Sequence, residues 1–285
     1  MRNVRKSSLY LRHNSATILI IAVWVLVFFS ILAVALYKII PAQIMLTSRV
    51  KDSILSEYAA KSCLLLARMD RSKTVLPYDT LYGLRLKHKK EFGQVSCVYY
   101  AVDEDSKINV NTAPADVLAR LPGLDMDLAT AITGSQLRPF KLKEELLLIE
   151  DITPEIYDKI KDFVTVNSQG QVNINTAGPE VLAALGFDDD LIEVIKEFRA
   201  GQGQIEGTEE GGIFEDPSTI ISELSLLVGF SSSLEAELLQ AISQNMITVG
   251  SNNLCWHMSV RVLNRPPTEV DALVSENKIK QWREY

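Results

Sequence analysis

Two stretches decide how this chain is read: INVNTAPADVLARL at 108–121 and VNINTAGPEVLAAL at 172–185. Eight of their 14 positions are identical at a constant offset of 64, and three more are conservative. The chain therefore carries a duplicated unit, and each copy must build the same local structure. In each, Asn alternates with Val or Ile on a short strand. Thr112 or Asn111 can then cap a helix that has Ala113, Pro114 and Asp116 in its first turn, and Thr176, Pro179 and Glu180 repeat the arrangement. Val117, Leu118 and Leu121 give that helix its apolar face, and a turn at Gly123 or Gly186 leads into a second helix, 127–134 or 190–200. Asn109, Asn111, Thr112, Asn173, Asn175 and Thr176 are thus read as structural residues of the repeat.

The echo continues downstream. RPF at 138–140 is answered by GIF at 212–214, EELLLIEDI at 144–152 by SELSLLVGF at 222–230, and VTVNS at 164–168 by ITVGS at 247–251. Further short helices are expected at 142–162 and 217–244. Between them, GQGQIEGTEEGG at 201–212 has no apolar anchor beyond Ile205 and reads as a mobile loop. QVSCVYYAV at 94–102 and LCWHMSVRVL at 254–263 read as strands, with another at 268–283 that reaches Trp282. Strands therefore flank a helical block, so the fold class is α+β: sheet segments at 92–110 and 247–285, and an inserted all-α domain at 111–246 holding the two repeats.

The other end of the chain has a different character. Residues 16–37 carry no charge and are almost wholly apolar. At about 1.5 Å per residue they make a helix of roughly 33 Å, enough to cross a bilayer. Arg2, Arg5, Lys6 and Arg12 precede it, and the first acid is Asp52. Basic residues stay on the cytoplasmic side, so the reading is a basic leader at 1–14, a membrane helix at 15–40 and an exported domain beyond. A cleaved secretory signal, with Ala33 and Ala35 as small-residue cleavage positions, is the rival, and it exports the same domain. Pro41 is expected to end or kink the helix. Ile44, Ile54, Leu55, Tyr58, Ala59, Leu65 and Leu66 then continue a helical pattern to about 69, and LRLKHKK falls in an irregular basic loop at 70–91.

The net charge is −7, and removing the four leader charges leaves about −11 for the rest. An acidic exported domain is a poor partner for nucleic acid. LPGLDMDLATAI at 121–132 resembles a helix-hairpin-helix, a motif that offers backbone N–H groups to a DNA phosphate. Here Asp125 and Asp127 follow Gly123, Asp188 to Asp190 follow Gly186, and no basic cluster adjoins either turn in sequence. Packing hairpins are the reading, and no nucleic acid is expected.

His13, His88 and His257 lack partners at catalytic spacing, and GxSxG, HExxH and phosphate-loop patterns are absent from the sequence, so no enzyme or catalytic residue is read. No cofactor is expected. The acidic turns suggest Ca2+ through Asp103, Asp105, Asp188 and Asp190, weighed against plain solvated loops. Cys63, Cys97 and Cys255 show no CxxC spacing. Either all three are buried thiols, or Cys97 and Cys255, both in strand-like segments, form one disulfide.

Taken together, the apolar N-terminal helix, DEDSKINVNTAPADVLARL at 103–121, the EELLLIEDI-to-VTVNS segment, the second VNINTA copy and the strand-like end with Trp282 resemble the type II secretion minor pseudopilin K family. The resemblance implies a pilin-like long helix plus sheet, with a helical domain inserted between strands. It implies a single-pass protein of the bacterial inner membrane with a periplasmic domain. Such a protein joins the I- and J-type minor pseudopilins at the pseudopilus tip and supports export of folded exoproteins. Leader cleavage by a prepilin peptidase would fall after Asn14 or Ser15, where the family usually has glycine. The fifth mature position would be Leu19 or Ile20, uncharged as in the K type, where most pilins carry Glu. The alternative is a membrane-anchored, competence-type DNA-binding protein.

Overall fold

The computed structural model describes residues 7–73, 79–227, 230–263, 265–275 and 278–285. The chain divides into two compact units, Met1–Glu57 and Tyr58–Tyr285.

A single helix, α1 (Ser7–Lys73, 67 residues), supplies the first unit and begins the second. It starts before and ends after the 15–69 expected. In the first unit every described side chain from 17 to 40 is exposed, Trp24, Phe28 and Phe29 included. An apolar helix that buries nothing against protein suits a lipid surround, which leaves the backbone bonds to be satisfied within the helix. The helix does not end at Pro41: α1 runs through it. A proline removes one N–H bond to the carbonyl four residues back, and the long flanking turns hold the helix around that loss.

In the second unit Ala59, Ala60, Cys63, Leu64 and Ala67 are buried on one face of α1, where the small alanines allow close approach to a sheet. After α1 the chain forms α2 (Leu81–Arg85), β1 (His88–Phe92) and β2 (Val95–Asp103). The basic loop expected at 70–91 is thus partly an edge strand, which pairs antiparallel with β2. Its lysines hid it in the sequence, since they read as loop, although edge strands carry such charges to discourage further pairing.

The helical block follows. It comprises β3 (Ile108–Asn109), α3 (Ala115–Leu118), α4 (Met126–Thr133), a 3-10 turn at Lys143–Leu148, α5 (Pro154–Ile160) and β4 (Val164–Thr165). The second copy has β5 (Val172–Asn173), α6 (Pro179–Leu185), α7 (Asp189–Ala200), α8 (Ile220–Leu224), α9 (Ser232–Ser243) and β6 (Ile247–Thr248). Each repeat closes on itself. β3 pairs parallel with β4, and β5 with β6, so VTVNS and ITVGS return beside the INVN and VNIN strands. The block is helical, framed by these two short ladders, around one core that includes Leu118, Leu146, Ile174, Leu182, Phe214 and Leu224.

The chain then returns as β7 (Asn253–Val262), β8 (Thr268–Ser275) and β9 (Lys278–Glu284). The single strand expected at 268–283 is two, paired antiparallel. The sheet order is β1-β2-β7-β8-β9, antiparallel throughout. Because β2 and β7 are neighbours and Asp103 lies opposite Leu254, the helical block leaves and re-enters the sheet at one corner. One sheet face, with Cys97, Tyr99, Ala101, Trp256, Met258 and Val260, packs on α1.

Candidate functional site: the duplicated turns and their joint to the sheet

The conserved-looking asparagines of the repeat act twice in the same way. Asn109 Oδ1 accepts the backbone N–H of Asn111 at 2.8 Å, and Asn173 Oδ1 that of Asn175 at 3.0 Å, so the first Asn of each copy folds the strand end into a turn. The second Asn reaches a distant loop. Asn111 accepts from Phe140 N at 2.7 Å and donates to Phe140 O at 2.9 Å; Asn175 does the same with Phe214, at 2.9 and 2.8 Å. The RPF and GIF echoes are therefore the loops these asparagines hold. Two arginines add a clip that the sequence reading missed: Arg138 donates to Ala113 O at 3.0 Å and Arg199 to Ala177 O at 2.8 Å. They come from different places in the two copies, so no alignment of the repeats pairs them.

Thr112 and Thr176 do not cap the helices. α3 and α6 begin later, with Pro114 and Gly178 in the N-cap positions and no side-chain cap bond. Thr112 Oγ1 turns back to the carbonyl of Asn109, and Thr176 Oγ1 to Asp103, with the carbonyl of Asn173 also in reach.

The acids at the hairpins have a structural task. Asp125 caps α4 by accepting from Leu128 N, and Asp188 caps α7 by accepting from Leu191 N, both at 2.8 Å. Gly123 and Gly186 take positive φ, +90° and +100°, where a side chain would be strained. A base does adjoin each turn in space: a Cβ at Gly123 would lie 2.9 Å from Lys159 Cδ, and one at Gly186 3.0 Å from Arg120 Nη1. Arg120, however, turns onto the protein, donating to Ala184 O at 3.3 Å. Residues 111–246 carry 24 acids against 8 Lys and Arg, so the surroundings stay strongly negative.

The loop at 201–212 is anchored through its backbone rather than through apolar side chains. Gly212 N donates to Phe198 O at 3.0 Å, and a Cβ at Gly201 would lie 2.2 Å from Glu210 O. Arg199, 5% exposed, lies 3.2 Å from Glu206 of this loop, while Ile205 stays exposed.

The turn leaving β2 overturns the reading of Asp103 and Asp105 as solvated loop or Ca2+ ligands. Both are buried, at 4% and 5% exposure. Asp103 accepts from Asp105 N and Asn173 Nδ2 at 2.8 Å and from Thr176 Oγ1 at 2.6 Å. Asp105 accepts from Ser251 Oγ at 3.0 Å, Asn252 N at 2.9 Å and Asn253 Nδ2 at 2.8 Å. Their oxygens face N–H and O–H donors, which is the opposite of a cation's surroundings. Asp188 is a helix cap, and Asp190 lies on exposed α7 surface. Among the described residues no group of three or more His, Cys, Asp or Glu could hold a metal ion. Burial is the main force on Asp103 and raises its pKa to about 6, with the Asp105 charge adding and its donors opposing; burial likewise raises that of Asp105.

The disulfide is Cys63–Cys97, with Cα atoms 6.1 Å apart, and it joins α1 to β2. The Cys97–Cys255 pairing is corrected by register. Cys97 lies opposite Val260 and Cys255 opposite Val102, so the two side chains point to opposite faces of the sheet. Cys255 instead lines a cleft of about 420 Å³, shared with His257, Asp271, Lys143, Glu144 and Arg283. His257 Nδ1 lies 2.6 Å from Asp271 Oδ1, a partner that sequence spacing did not reveal. Burial, with Glu104 and Asp271 nearby, pushes the Cys255 thiol up to about 12, which disfavours its thiolate.

At the other end, residues 1–6 of the leader lie outside the described residues, and Asn14 and Ser15 fall within α1. Leu19 and Ile20 are exposed on it. Among the described residues one helix is long and apolar enough for a single membrane span.

Comparison with known proteins agrees with this geometry. A helix-hairpin-helix motif family model matches residues 103–165, which is the first copy. No curated protein matches. Among solved structures, a chain of the GspK-GspI-GspJ complex from the type 2 secretion system of enterotoxigenic Escherichia coli superposes with a TM-score of 0.61. The match covers 84% of this chain and 96% of that one at 14% identity. The fold is pilin-like.

Proposed function

We propose that this chain is a K-type minor pseudopilin that acts by assembly, without catalysis, at the tip of a type II secretion pseudopilus. Residues 16–37 anchor it in the inner membrane with the globular unit in the periplasm. The exposed apolar side chains of α1 pack beside the helices of I- and J-type partners, and the assembly helps move folded exoproteins outward. An uncharged Leu19 or Ile20 cannot seek the N-terminal amine of a subunit ahead of it, as suits a leading position.

One observation carries the reading: a helical block grafted between adjacent strands of a pilin-like sheet, in a chain that matches 96% of a GspK-GspI-GspJ component. The block's bulk would stop further subunits from adding above it. Excising 111–246 tests this capping idea, since β2 and β7 remain neighbours that a short turn can join. Lengthened or absent pseudopili with lost secretion are expected; unchanged length and secretion would refute capping.

The helix-hairpin-helix match favours the second reading, a membrane-anchored DNA receptor. It requires the globular unit to bind duplex DNA with a steep inverse dependence on salt.

A further inference from the structure

The corner where the helical block meets the sheet is built from two carboxylates and two hydroxyls. Thr176 Oγ1 lies 2.6 Å from Asp103 Oδ2 and also 3.3 Å from the carbonyl of Asn173. Ser251 Oγ lies 3.0 Å from Asp105 Oδ2 and also 3.1 Å from the carbonyl of Asn253. Each hydroxyl thus has two acceptors in reach and donates to one. With the carboxylate charged, it donates to the carboxylate. If the carboxyl carries a proton, the acid O–H can donate to the hydroxyl oxygen, and the hydroxyl can turn to the carbonyl. No bond is left unmade in either state, so the corner is built for both.

The joint also holds the two parts together. Asn173 N donates to Asp105 O and Asn173 Nδ2 to Asp103, both at 2.8 Å, while Asn253 begins β7. The surrounding charges come from three directions. Glu104, on the same turn, is paired with Lys107 at 2.6 Å and accepts from Thr165. Asp79 binds Arg71 of α1 at 2.6 Å and accepts from Ser251 N, and Arg71 reaches Ser251 O at 3.1 Å. Beyond these, Asp103 and Asp105 face each other's charge.

We propose that the Asp103–Asp105 turn is a proton-responsive joint: on acidification a carboxyl takes a proton from solvent, the facing hydroxyl of Thr176 or Ser251 reverses, and the second repeat is held more tightly to the sheet. The direction follows from burial, which lifts Asp103 to about 6 from its ordinary 3.8. A carboxyl raised in the folded state binds its proton more tightly there than when unfolded. Its stabilising effect is therefore full below about pH 4 and is lost as pH rises through about 6. The proposal rests on the fold alone and stands or falls separately from the secretion reading.

The first repeat supplies an internal control. Asn109 Nδ2 there donates to the Ser168 carbonyl, and Thr112 Oγ1 to the Asn109 carbonyl, so these two side chains bond to carbonyls where Asn173 and Thr176 bond to a carboxylate. The experiment is hydrogen exchange on the full chain in nanodiscs from pH 5 to 7.5, corrected for intrinsic rates. Protection at 173–177 is expected to be about tenfold higher at pH 5 than at pH 7.5, with no matching change at 109–113. Asp103→Asn, which removes the titrating carboxyl, should flatten that pH dependence. Equal protection at 173–177 across the range, or equal pH dependence in both repeats, would overturn the proposal without any variant.

Discussion

Asn175 holds Phe214 from both sides, donating to its carbonyl at 2.8 Å and accepting its N–H at 2.9 Å, with a further bond to Val249 O at 3.0 Å. A side chain 64 residues earlier, Asn111, grips Phe140 through the same pair of atoms. The repeat is thus a clamp that brings a distant loop back to the end of its own first strand.

Removing that clamp leaves a buried N–H and buried carbonyls without partners. Asn175→Ala is expected to lower stability by about 2–3 kcal/mol in chemical denaturation. Asn111→Ala should cost less, since Asn111 is half-buried and lacks a third bond.

Mass mapping under non-reducing conditions should find Cys63 joined to Cys97, and Cys255→Ser should leave that link intact. Closing a loop of 34 residues is worth roughly 3–4 kcal/mol by chain entropy, so reduction or Cys97→Ser should lower the denaturation midpoint accordingly. Cys255 should alkylate slowly until the protein unfolds, because burial keeps it a thiol.

The hairpin acids are expected to matter for stability. Asp125→Ala and Asp188→Ala each remove a helix cap and should cost about 1 kcal/mol. In the same variants, duplex DNA binding should stay absent near 150 mM salt. Tight, salt-sensitive binding by the parent chain would instead move the account to the DNA-receptor reading.

The sequence carried the architecture further than the site. Duplication made the repeats legible, because a fixed offset of 64 survives whatever each copy packs against. Richness in Val and Tyr exposed β2, and alternation exposed β7. The strand at His88–Phe92 escaped because Lys89, Lys90 and Glu91 carry no apolar period at a sheet edge. The disulfide escaped because facing is set by register, and one residue of register inverts a side chain. The buried carboxylates were least visible of all. Asp103 is made structural by Asn173, 70 residues on, and Asp105 by Asn253, 148 residues on, and an acidic turn shows neither partner in its own spelling.

The central claim is assembly with other minor pseudopilins, and mass tests it most directly. Residues 42–285 would be mixed with the soluble domains of the host's I- and J-type pseudopilins and separated by size exclusion with light scattering. The account predicts one stable species with the mass of a 1:1:1 complex. Elution of 42–285 alone, at high concentration and with both partners folded, would contradict it.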